Sequence, residues 1–318
     1  MTEAARRSLR LSLQPEVRAL QERIGRRMAG LTAETVERLY PALREVRAEL
    51  AAGLKRYIDR HPDDWEAKWT AQKYRALMVQ LKTAEEAARD LADAMGVALR
   101  TGGAAAGAYA VADFEQQIGV FSKAFGQPIL LDIDSAAILA RGGKLVLERE
   151  RGAAHKYADD AVKDIRNQLL AATLSGETFF QVARRVARLG AFPGALVAPT
   201  VDGMAAGLWR RQLNRGYLVA RTELMHVYNV HHAESLAEWA QQDAEALMMW
   251  DAADDRRTCQ LCAGLDGEVA DIGGTFAGGY SMPPDDTHAC CRCRLVPWKR
   301  AWDTWQPAII AVPRQLAA

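Results

Sequence analysis

Residues 259–293 read CQLCAGLDGEVADIGGTFAGGYSMPPDDTHACCRC and contain every cysteine of the chain. Chance would not gather all five there, so the cysteines have a joint role. Cys259-x2-Cys262 sets two thiols on one tight turn, and His288-x2-Cys291 repeats that spacing further on. The pattern predicts one tetrahedral zinc ion held by Cys259, Cys262, His288 and Cys291, with Cys293 as the alternative to Cys291. No carboxylate stands at ligand spacing, which favours a closed structural site over an open catalytic one. In an extended Cys291-Arg292-Cys293 the two thiols share a face, and both can bind only if the backbone turns there. Cys290 is expected to be a bystander. The competing readings are unliganded thiols and a disulfide staple, the latter disfavoured in a reducing cytoplasm. A module of this size with few large apolar side chains needs such a staple to fold.

Working outward, the sequence reads Trp250-x3-Asp254-Asp255-Arg256-Arg257-Thr258-Cys259-x2-Cys262-x2-Leu265-Asp266-Gly267-x-Val269, then Pro283-Pro284, then His288-x2-Cys291-Arg292-Cys293-x-Leu295-x-Pro297. An Arg221-Thr222-Glu223 triplet lies upstream in a long helical segment. Over roughly residues 145 to 298 this resembles the phage Mu F-like head morphogenesis family, the minor head proteins of tailed double-stranded DNA phages. The family pattern ends His-Pro-x-Cys-Arg-Cys, whereas this chain has Ala289 in place of the proline and an additional Cys290. The resemblance implies a virion component of the capsid interior or portal vertex, made in the host cytoplasm. It implies portal protein and/or major capsid protein as partners, with packaged double-stranded DNA as a further contact.

Composition excludes several other classes. Net charge is +1, so no bulk electrostatic case exists for coating nucleic acid. Arg6, Arg7 and Arg10 are not followed by a signal-peptide core, and no run approaches a membrane span. The chain carries 32 arginines against nine lysines, a bias read here as coding composition or a hot host.

Before the cysteines, the periodicity is helical almost throughout, which predicts a mainly α protein ending in a small α+β cysteine-rich module. Residues 1–140 are expected to form a helical arm for partner docking, 141–244 a helical core, 245–298 the Cys/His module and 299–318 a basic tail. Leu31-Thr32-Ala33-Glu34 suggests a helix start, followed by Val36, Leu39, Leu43 and Val46 at helical spacing. His61-Pro62 marks a break, and Trp65, Trp69, Tyr74, Leu77, Leu81 and Ala84 form a stripe suited to burial. Thr101–Ala108, rich in glycine and alanine, reads as a loop or a close helix contact. Ile129–Ile133 reads as a short strand, and Asp132 and Asp134 within and beside it lack the calcium-loop pattern. Thr178-x2-Gln181 is a capping box, and Gly190 stops its helix. Residues 204–241 are expected to form the longest helix, with Leu213, Tyr217, Ala220, Leu224 and Val227 on its buried face. Arg221 and Glu223, two positions apart, point about 200° away from each other and must meet different neighbours. Residues 246–251 read as a strand feeding the first cysteine turn.

Two function classes fit these features. One is a structural, non-enzymatic head protein whose helices dock on capsid or portal. The other is a zinc-module DNA-processing protein, since Cys-x2-Cys with His-x2-Cys also occurs in treble-clef nucleases. A nuclease needs a general-base histidine beyond the structural zinc. The only histidine inside this module, His288, is already taken as a ligand, and no phosphate loop, Gly-x-Ser-x-Gly or His-Glu-x2-His is present. The expectation is therefore no enzyme and no small-molecule substrate. The acidic stretch Glu234–Asp271 and the basic residues after Cys290 are expected to pair with one another around the metal.

Overall fold

The computed structural model describes residues 15–304 apart from Leu130, Phe192, Gly194, Leu196 and residues 254–256. The expectations for the N-terminal arginines and for Arg314 of the tail lie outside the described residues. The fold is mainly α, with a small three-stranded sheet near the C-terminus.

The first two helices are α1 (Pro15–Glu37) and α2 (Tyr40–Arg60). The helix start expected at Thr32 is not there: Thr32 sits inside α1 and donates its hydroxyl to the Met28 carbonyl at 2.8 Å. The break comes one turn later because Pro41 lacks an N–H and its ring would collide with the carbonyl of Glu37, four residues back. After the break at His61 come a 3-10 turn and α3 (Ala71–Gln80). A single antiparallel bridge, Lys68 to Thr178, ties this connection to α6 (Phe179–Ala187), whose capping box forms as its sequence predicts. Gly190 closes that stretch with φ +66°.

Three long helices carry the bundle: α4 (Lys82–Phe125, 44 residues), α5 (Ser135–Ser175, 41) and α7 (Val201–Ala240, 40). The helix expected to be longest is therefore the shortest of the three. The glycine-rich stretch from Thr101 is the interior of α4, and its small residues let three helices approach. A Cβ on Gly103 would fall 2.3 Å from Glu150 Oε1 of α5, and one on Gly107 would fall 2.9 Å from the His231 ring of α7. From the far side, a Cβ on Gly142 of α5 would meet the same ring at 2.6 Å. His231 is thus wedged where α4, α5 and α7 meet, its Nδ1 2.8 Å from the Val227 carbonyl oxygen.

The helices before residue 140 do not stand apart as an arm. Leu43, Leu50, Leu54 and Tyr57 of α2 share one apolar core with Ile165 of α5, Phe179 of α6 and Leu208 of α7. The arginine excess has a structural use here. Arg166 of α5 grips Glu85 of α4 with two bonds of 2.6 Å, and Arg211 and Arg215 of α7 pair with Asp164 and Asp160 of α5. Bidentate guanidinium pairs fix helix register as well as charge, which a lysine point charge does not.

The module begins with β1 (Ala246–Asp251), followed by the short helix α8 (Gln260–Leu265), β2 (Val269–Asp271) and β3 (Arg294–Lys299). The sheet is antiparallel in the order β2-β1-β3, with Met248 opposite Pro297 and Asp251 opposite Arg294. Pro297 is tolerated because β3 is an edge strand. Both faces of the sheet are covered. Met248 and Trp250 pack with Phe114 of α4 and Trp239 of α7, while Met249 and Trp298 pack with Phe121 and Phe125. Trp302 stacks on Phe125 with ring centroids 4.5 Å apart. The premise that the module lacks large apolar side chains is corrected: it buries Trp250 and Trp298 against the bundle, and Trp250 also meets Phe276 of the module edge-on at 5.2 Å.

No strand forms at Ile129–Ile133 among its described residues, which run as coil whose apolar side chains pack partly against the module. Gln242 takes up the backbone N–H and C=O of Asp132. Asp134 accepts from Ala137 N–H at 3.0 Å and so caps α5. The acidic and basic segments do pair with one another: Arg294 with Asp251 at 2.7 Å, Lys299 with Asp243 at 2.8 Å and Arg300 with Asp271 at 3.4 Å. Arg294 also donates to the Gln21 carbonyl at 3.1 Å, and the Gln21 amide donates to Asp251 at 3.0 Å. These bonds tie α1 to the last strand.

Candidate metal centre

Cys259 is the N-cap of α8, its sulfur accepting the Cys262 N–H at 3.3 Å. This local geometry follows from Cys-x2-Cys, since an N-cap acceptor reaches the backbone N–H three residues on. The other half of the centre is held by a second turn. Asp286 accepts from the Ser281 and Met282 backbone N–H groups and from the Ser281 hydroxyl, and these bonds hold its carboxyl below the usual range. The turn carries the chain to His288.

The two halves meet. His288 Nε2 lies 3.2 Å from both Cys259 Sγ and Cys262 Sγ, and Cys262 Sγ lies 3.6 Å from Cys291 Sγ. Two triads form, Cys259-Cys262-His288 and Cys262-Cys291-Cys293, each with its ligand atoms within 4.8 Å of one another. A tetrahedral ion at ~2.3 Å from sulfur and ~2.0 Å from nitrogen spaces its donors about 3.5–3.8 Å apart, close to this arrangement. His288 Nδ1 is 2.9 Å from the Ala289 carbonyl oxygen. A proton on Nδ1 satisfies that contact and leaves the Nε2 lone pair turned to the thiols, the tautomer a metal-binding imidazole needs. The donor set can hold a metal ion.

The thiol protons are unevenly held. A hydrogen bond from Cys293 draws Cys291 down to about 5, and that contact, with burial, drives Cys293 well above the ordinary thiol range. Burial, with the neighbouring Cys291, pushes Cys262 up to about 12. At Cys259 burial acts upward but is outweighed by donation from Cys262 and the nearby His288, so its net direction is down. His288 is raised, chiefly by the Ala289 carbonyl. Metal binding must displace protons from the high thiols, so affinity increases with pH.

The chain turns just before Cys291, where Cys290 has φ +62°. Cys291 and Cys293 both face Cys262, as residues two apart on one face can. Cys290 itself points elsewhere, with its Sγ 3.7 Å from the Leu218 carbonyl oxygen of α7. All five cysteines carry free thiols.

Helix α7 grips this loop through a polar stripe at i, i+4 and i+7. Thr222 Oγ1 accepts the Cys290 N–H at 2.9 Å. His226 Nδ1 lies 2.8 Å from Asp285 Oδ1, and Arg149 bridges Asp285 and Glu223 at 2.7 and 2.8 Å. Buried Asn229 donates to the carbonyls of Pro283 and Cys293 at 2.9 and 3.2 Å and accepts the Leu295 N–H at 3.2 Å. Arg221 and Glu223 do meet different surroundings, Glu223 on the loop side and Arg221 on a cavity between α1 and the module.

Residues 163–296 match the family model described as Phage Mu protein F like protein. Over these residues the chain is similar to the Mu F-like family. The match spans α7 with its Arg-Thr-Glu triplet, the cysteine centre and the first half of β3, so all the ligand-type residues lie within it. No curated protein and no solved structure matches the chain.

Sequence reasoning found the ligand-type residues of the Mu F-like segment but missed Asn229 and Asp285, which position them. The available signal was the helical spacing of the polar residues Thr222, His226 and Asn229.

Proposed function

We propose that the chain is a minor head protein of a tailed double-stranded DNA phage, acting in head morphogenesis beside the portal, with its C-terminal module stapled by a structural zinc ion. The observation that carries this reading is the family match over residues 163–296, because the motif residues it covers build one connected unit. Thr222 and Glu223 act on the cysteine loop, directly or through Arg149, which supports a role in architecture over one in catalysis. His288 faces two thiols, as a structural ligand would. Portal protein or major capsid protein is the expected partner, and packaged DNA a further contact. Among the described residues no helix is long and apolar enough to cross a membrane.

Cross-linking within purified particles tests the placement. Links to portal subunits are expected, whereas a particle-free protein with nuclease activity would favour the DNA-processing alternative. Elemental analysis tests the metal: one zinc per chain is expected, lost in Cys262→Ser and retained in Cys290→Ser. A metal-free protein with an unaltered melting curve in chelator would remove zinc from the proposal.

A further inference from the structure

A cavity of about 590 Å³ lies between α1, the middle of α7 and the cysteine module. Its lining includes Arg26, Arg221, Arg257, Arg292 and Arg294, drawn from four separate stretches of chain, with Glu22 the one carboxylate among the described lining residues. Arg26 pairs with Glu22 at 3.6 Å and Arg294 with Asp251 at 2.7 Å.

Two of the guanidiniums keep hydrogen-bonding capacity that no other described residue takes up. Among the described residues, Arg221 has no hydrogen bond or ion pair. Arg294 is held rigidly, donating to Asp251 at 2.7 Å and to the Gln21 carbonyl at 3.1 Å, with its side chain only 8% exposed. Its Nε is buried and has no acceptor. Gathering like charges around partly enclosed space is unfavourable unless an anion offsets it. Arg292 stands in sequence between Cys291 and Cys293 of the candidate centre.

The ligand chemistry follows from the lining. Several planar forks arriving from different elements suit a phosphate, whose oxygens can accept from more than one guanidinium, better than a two-oxygen carboxylate. Ile24, Met28 and Met225 supply an apolar wall, and Tyr217 adds an aromatic ring suited to a nucleobase. The volume is that of a small-ligand site and is too small for a duplex.

We infer that this cavity binds a nucleoside phosphate, either as a free nucleotide or as the terminal nucleotide of a DNA strand. The inference is independent of placement in a virion: it concerns the protein in solution and can fail or hold whatever the particle experiments give.

The test is titration calorimetry on the full-length, metal-loaded protein at low salt. The probes are dTMP, a 5′-phosphorylated thymidine tetramer, the same tetramer without the phosphate, and hexaglutamate. Wild type is expected to bind dTMP or the phosphorylated tetramer, with affinity falling as salt rises. Equal affinity for dTMP and the phosphorylated tetramer identifies free nucleotide as the ligand. A tighter phosphorylated tetramer, with the unphosphorylated one weak, identifies a strand end. Arg221→Gln is expected to weaken binding about tenfold or more, a charge-assisted bond being lost. Arg26→Gln, at the exposed rim, is expected to weaken it less. Unchanged metal content and melting temperature in both variants show that the fold persists. Failure of both phosphate probes to bind, hexaglutamate binding as tightly as either, or equal binding by wild type and both variants would overturn the inference.

Discussion

The two halves of α7 are packed by different means. In its first half, Met204, Ala205 and Leu208 enter a core of leucines, alanines and aromatics shared with α2 and α5. In its second half, Thr222, Glu223, His226 and Asn229 hold the cysteine loop by hydrogen bonds and ion pairs. A hydrocarbon core tolerates exchange of one apolar shape for another, whereas a buried polar contact fails if either partner goes. The first half therefore supplies stability in bulk, and the second determines where the loop sits.

The largest expected effect is in the first region. Leu54→Ala empties a fully buried site in the shared core and should cost about 2–5 kcal/mol in urea unfolding. The same core bears on the N-terminal helices. Removing residues 1–60 takes away α1 and α2, and insoluble protein is expected, where an independent arm would leave the remainder folded. A soluble, cooperatively folding truncation would show that the two regions are separable after all.

Next is Asn229→Ala, which strands the Leu295 N–H and the carbonyls of Pro283 and Cys293 without partners. A loss of roughly 3 kcal/mol is expected, together with weaker metal retention against a competing chelator. If metal affinity is unchanged, the polar stripe does not set the loop.

A smaller and opposite effect is expected at Glu150, which burial and the nearby Glu223 raise to about 7. Its folded-state value lies above the unfolded one, so folding takes up a proton between about pH 4.5 and 7 and stability falls as pH rises through that window. Glu150→Gln should match wild type near pH 4 and exceed it at pH 8 by roughly 1–2 kcal/mol. Parallel stability–pH curves for the two proteins would contradict this.

The smallest effect is expected at Cys290, whose φ of +62° is unfavourable for any side chain. Cys290→Gly should raise stability by less than about 1 kcal/mol and leave metal content unchanged. Loss of metal in this variant would place the Cys290 thiol in the centre.

The parts legible in sequence were those with local causes. The capping box at Thr178, the stop at Gly190, the strand at 246–251 and the metal-type cysteine spacing depend on residues a few positions apart. What escaped depended on distant partners. The Gly102–Gly107 stretch could be read as loop or contact, and only the rings and carboxylates of α5 and α7 decide for contact. Ile129–Ile133 has strand composition but no neighbouring edge to pair with, so its apolar groups pack from coil. The module's poverty in large apolar residues was a misreading of the same kind, since Trp250 and Trp298 find their partners on α4 and α7.

The latch between Gln21 and the Asp251–Arg294 pair has a consequence for synthesis. Ribosomal output runs from α1 toward β3, and Arg294 emerges 273 residues after Gln21, the residue whose carbonyl it secures. Throughout that interval α1 lacks this anchor and the cavity lacks one wall. A nascent chain therefore reaches this arrangement only after β3 has emerged, and a product terminated before it would expose the underside of its first helix to cellular proteases.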